Sequence, residues 1–125
     1  MADLLKKIED IPYHPGNFMG KLRAAELKGE VLNDIEELAK EVNYRKDQIK
    51  ILLSSALDEE ELKDTLFKLN DLKVGMESRK QHWGSLVPHA DAAIKLEIDK
   101  VMDMLISTTT QLEEILEEAL TYTKP

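Results

Sequence analysis

His14, His82 and His89 are the chain's three histidines, and imidazole is the commonest metal-binding side chain. A protein metal site needs three or four donors held at fixed spacing. His82 and His89 flank a predicted turn and could approach one another. Their neighbours Ser78, Gln81 and Ser85 are poor ligands, however, and no His-x-x-x-His or Glu-x-x-His pattern supplies the remaining donors. No metal is expected, and a phosphorelay role for His82 lacks support for the same reason. The absence of cysteine removes thiolate nucleophiles, disulfides and Cys-ligated zinc together. There is no phosphate-binding glycine loop, no supported Ser-His-Asp order and no carboxylate pair in a pocket-forming context. Neither an enzyme nor a cofactor is expected, and a narrow helical bundle leaves little room for a substrate cleft of ~300 Å³.

Carboxylates are the other chemically active group. The chain holds 25 Asp+Glu against 17 Lys+Arg, a net charge of −8. Direct nucleic-acid binding is disfavoured, because phosphate affinity rests on cations that release counterions. The excess is uneven: residues 89–125 carry 8 acidic and 3 basic groups, whereas residues 1–57 carry 10 and 9. Up-down-up helices would bring Asp58, Glu59, Glu60 and Glu61 to the same pole as Glu113, Glu114, Glu117 and Glu118. Acids in a last helical turn oppose the helix dipole at a cost of ~0.3–1 kcal/mol each. Such a pole is expected to be either a docking surface for a basic partner or a solvated face partly neutralised by Arg45, Lys46 and Lys50.

The elements that must position these groups are helical. The 125 residues are 42% hydrophobic, 34% charged and 5% aromatic, with five Gly and four Pro, which suits one compact all-α domain. Residues 3–9 predict a short helix, stopped by Pro12, Pro15 and Gly16. Asn17 is a plausible N-cap for a long helix over about 17–56, with a bend or break expected at Gly29. Asp58 followed by three Glu predicts a second start, with a helix over 58–83 ending near Trp83-Gly84 ahead of Pro88. A third helix, over about 89–123, carries a seam of Ile94, Ile98, Val101, Leu105, Thr108, Leu112, Ile115, Ala119 and Tyr122 at alternating steps of four and three. Ser107 to Thr110 interrupt it with poor helix formers.

The expected fold is therefore an elongated antiparallel three-helix bundle or coiled coil over 17–125, with a short N-terminal helical arm over 1–16. Its helices differ in length, so the end of the last one should project, leaving Leu116 and Leu120 without an intrachain partner. The leading functional expectation is a non-enzymatic protein–protein interaction or assembly module, such as an adaptor, a chaperone-like partner or a structural subunit. Leu112, Ile115, Leu116, Ala119, Leu120 and Tyr122 are its expected apolar contact. The expected partner is a protein, as a homo-oligomer or a larger assembly, without membrane or small-molecule substrate. One alternative is an acidic inhibitor or decoy that occupies the basic nucleic-acid-binding groove of a partner; another is a secreted helical partner of a specialised export system. No stretch reaches the ~20 apolar residues that span a bilayer, and residues 1–10 lack a signal-peptide apolar core, so a cytoplasmic location is expected.

Overall fold

The computed structural model describes residues 2–11, 29–55, 57–86 and 92–123. These residues are helical throughout apart from short turns, with no strand among them: α1 (Ala2–Asp10), α2 (Gly29–Ser54), α3 (Glu59–Leu86) and α4 (Ala92–Thr121). The expected helix start at Asn17 and the chain leading into the expected bend or break at Gly29 lie outside the described residues.

Local sequence explains the α3 boundaries. The Asp58 carboxylate accepts from the backbone N–H of Glu60 at 2.9 Å and of Glu61 at 3.4 Å, while its carbonyl accepts the first helical bond from Leu62 at 3.0 Å. Two otherwise orphaned donors are satisfied by one side chain, and Glu59 to Glu61 face the positive end of the dipole. At the far end α3 runs through Trp83-Gly84 to Leu86, three residues past the expected stop. A glycine inside a helix costs only about 1 kcal/mol. The stronger barrier in the sequence is Pro88, which disfavours helical geometry at the residue before it.

The serine–threonine run in α4 does not interrupt the helix either. Thr109 Oγ1 donates to the Leu105 carbonyl at 2.8 Å and Thr110 Oγ1 to the Ile106 carbonyl at 3.0 Å. Each hydroxyl is satisfied within its own helix, so Thr108 and Thr109 enter the buried layer. Thr109 Oγ1 also lies 3.8 Å from Met76 Sδ on α3.

Contacts between α3 and α4 run in opposite senses along the two helices: Lys73 meets Glu113, Met76 meets Thr109 and Lys80 meets Asp103. The pair is antiparallel, and α2 approaches α3 at Asp34 and Arg79, 4.0 Å apart. The buried stripe of α4 comprises Ile98, Val101, Met102, Leu105, Leu112, Ile115, Leu116 and Ala119. It joins Ile35, Leu38, Val42, Ile49 and Leu53 of α2 and Leu62, Leu69 and Met76 of α3 in one core. Removing a leucine-sized side chain from water is worth roughly 1.5–3 kcal/mol. Met76 and Met102 belong to this core, whereas Met104 is half-exposed.

The core contains a fourth contributor. Leu4 and Ile8 of α1 are fully buried, and Ile11 just beyond is nearly so. α1 packs against both α2 and α4. A nine-residue helix is marginal alone, so its stability comes from this docking.

Candidate functional site

The expected apolar contact on α4 is not a free surface. Leu116 has 0% of its surface exposed, Leu112 and Ala119 are equally buried, Ile115 nearly so, and Leu120 is partly buried against the same core. The expectation that Leu116 and Leu120 project without a partner fails because α1 folds back onto this end of α4. Lys7 Nζ donates to Glu118 Oε2 at 2.9 Å, and the side chains of Ile11 and Ile115 line one cleft. Tyr122 differs from its seam neighbours. It lies in the turn after α4, bonded through its N–H to the Ala119 carbonyl, and its side chain is 55% exposed.

Nor do the acids form a single pole. Asp58 to Glu61 lie at the start of α3, but Glu113 sits opposite Lys73, twelve residues beyond Glu61, about 18 Å along the helix at 1.5 Å per residue. Glu113 and Glu117 line a groove with α3, whereas Glu114 and Glu118 line a cleft with α1. The two pairs flank the buried stripe on opposite sides, as four-residue spacing requires.

Their counter-charges also differ from expectation. Arg45 is held by Glu41 at 2.9 Å and by Gln48 at 2.8 Å, and its guanidinium stands 5.2 Å over the Tyr44 ring. Lys46 is buried and donates to the Ile11 carbonyl, where it caps the end of α1. Neutralisation comes from Lys73 on Glu113 at 3.1 Å, Lys7 on Glu118 and Lys63 on Glu59 at 2.9 Å. Burial lowers the Lys46 pKa below the usual lysine value, with Lys50 repulsion adding to it. The Glu118 hydrogen bond raises that of Lys7, and the Asp103 hydrogen bond raises that of Lys80.

Two clefts accompany these pairs. One, of about 390 Å³, lies between α1 and α4 and is lined by Lys7, Asp10, Ile11, Gln111, Glu114, Ile115 and Glu118. The other, of about 340 Å³, lies between α3 and α4 and is lined by Lys63, Leu66, Phe67, Asn70, Glu113 and Glu117. Both exceed the space expected of a narrow bundle, because they are open grooves between helices. Among the described residues no group of three His, Asp or Glu is placed to hold a metal ion. His82 is exposed on α3, and His14 and His89 lie outside the described residues.

Besides Leu96, Met104 and Tyr122 on or just after α4, the large apolar side chains that face solvent lie on α2 and α3. Tyr44 and Ile51 on α2 are mostly exposed, as are Phe67 and Val74 on α3. Each pair is separated by seven residues, which places both members on one helix face. The α2 pair lies opposite that helix's buried stripe. Of the α3 pair, Phe67 also lines the groove with α4. Sequence reasoning missed these four because it followed the dominant stripe; the seven-residue spacing of Phe67 and Val74 off that stripe was the available signal.

Among the described residues no helix is long and apolar enough to cross a membrane. The chain matches no protein-family model, no curated protein and no solved structure.

Proposed function

We propose that the chain is a non-enzymatic protein–protein interaction or assembly module, acting in the cytoplasm as an adaptor, chaperone-like partner or structural subunit. In this reading α2, α3 and α4 form an elongated antiparallel three-helix coiled coil with α1 docked on it. The observation that carries the reading is the exposure of Tyr44, Ile51, Phe67 and Val74 in two seven-residue pairs outside a closed core. Monomeric surfaces scatter single apolar residues, whereas repeated ones on one helix face favour burial against another helix. The contact residues are therefore these four rather than Leu112, Ile115, Leu116 and Ala119.

The acidic-decoy reading has weaker support. It requires a continuous anionic surface, and the carboxylates divide between two flanks, with Glu113 and Glu118 already paired to lysines.

The test is the sedimentation of the chain in extracts of the cells that make it. Wild type is expected to sediment above its 14.3 kDa monomer, and a variant with serine at positions 44, 51, 67 and 74 is expected to sediment as the monomer. Wild type sedimenting with that variant as a monomer would overturn the proposal.

A further inference from the structure

The groove between α3 and α4 offers more than exposed apolar surface. Phe67 is 70% exposed and Val74 57%. Phe67 shares the groove wall with half-buried Leu66, and the opposite wall carries Glu113 and Glu117. Val74 continues the same face of α3 two turns on.

Charge identifies the occupant. Residues 58–125 carry seven of the chain's eight excess negative charges. Each lysine of α3 is already held by a carboxylate: Lys63 by Glu59, Lys68 by Asp64, Lys73 by Glu113 and Lys80 by Asp103. Glu117 has no ion-pair partner among the described residues. A second copy docking through its own residues 58–125, which carry the negative excess, would set like charges against each other across the groove, which disfavours that self-association. A cationic partner gains attraction where its own apolar side chains cover Phe67 and Val74.

We infer that the α3–α4 groove docks a basic amphipathic helix of another protein, with apolar residues against Phe67, Leu66 and Val74 and Lys or Arg against Glu117. The groove lining on α3 spans Lys63 to Asn70, and the same face continues to Val74, about 16 Å from Lys63 at 1.5 Å per residue. A helix of about 18 residues covers that length with about a turn to spare at each end. The inference rests on the association reading above and makes it specific.

The experiment is fluorescence anisotropy with a labelled Leu/Lys helical peptide of about 18 residues, its leucines on one face, beside a peptide of the same composition with the leucines scattered. The amphipathic peptide is expected to bind at least tenfold tighter than the scattered one, and to bind more weakly as salt rises. Phe67→Ser with Val74→Ser should weaken it at least tenfold and Glu117→Gln severalfold, whereas Phe67→Leu, which keeps an apolar side chain there, should bind like wild type. Tyr44→Ser with Ile51→Ser should leave it unchanged. Circular dichroism of every variant should match wild type, since none of these side chains belongs to the buried core. Equal binding of both peptides, or binding indifferent to Phe67 and Val74, would overturn the inference. Loss of binding on the α2 variant alone would overturn the groove while leaving the association reading standing, whereas a monomer in extracts would remove that reading itself.

Discussion

Glu113 meets Lys73 at 3.1 Å, with 13% and 28% of the two side chains exposed. This ion pair is one of the contacts that mark the antiparallel register of α4 against α3, and it places Glu113 away from the acidic start of α3. An ion pair largely removed from water leaves an uncompensated charge when one partner is deleted. Glu113→Ala should therefore cost about 1–2 kcal/mol, between the exposed and fully buried cases. Glu118→Ala, which breaks the exposed pair with Lys7, should shift urea unfolding only within the error of the measurement. Equal losses would show that the two pairs share one environment.

Leu116 belongs to the folded core, so Leu116→Ala should destabilise by about 2–5 kcal/mol. Leu116→Asp should abolish the cooperative transition altogether, because a carboxylate would be buried without a partner. Urea titration followed by circular dichroism distinguishes this from a surface residue. A stable, fully helical Leu116→Asp protein would return Leu116 to the surface.

Lys46 carries a pH signature. Its pKa in the fold is lowered below 10.5 by burial and by Lys50, so the unfolded chain holds this proton more tightly. The penalty for the buried charge is complete below the folded pKa and is relieved as pH rises towards 10.5. Relative to Lys46→Met, wild type should gain stability between neutral pH and that value. Lys7 and Lys80 shift the other way and are common to both proteins, so their contribution cancels. A wild-type advantage that shrinks with rising pH would contradict the assignment.

Gly75 lies inside α3, where glycine is about 1 kcal/mol worse than alanine. A Cβ there would meet Arg79 Nη1 at 2.9 Å. That atom is the far end of a flexible side chain whose link to Asp34 is a loose 4.0 Å. Gly75→Ala should therefore stabilise by about 0.5–1 kcal/mol, read as a higher thermal midpoint. A lower midpoint would mean that Arg79 is fixed in place.

Helix type is legible in the sequence because apolar residues recur over many turns, and the cap at Asp58 because its chemistry is local. The end of α3 is not legible from Gly84, which alone is too weak a stop. The burial of Leu116 is not legible because the pattern of one helix does not reveal which distant segment covers it; here that segment is α1, pinned by Lys46 on Ile11 and Lys7 on Glu118. The acidic pole failed for a similar reason. Sequence places charges at an end, but whether four residues of one helix face one neighbour or two depends on packing around it.

Photo-crosslinking from positions 67 and 116, in chains made in their own cells, tests the division between surface and core most directly. A photoreactive residue at 67 should give discrete intermolecular adducts, and one at 116 only intramolecular products. Intermolecular adducts from 116 with none from 67 would contradict the account and restore the α4 stripe as the contact.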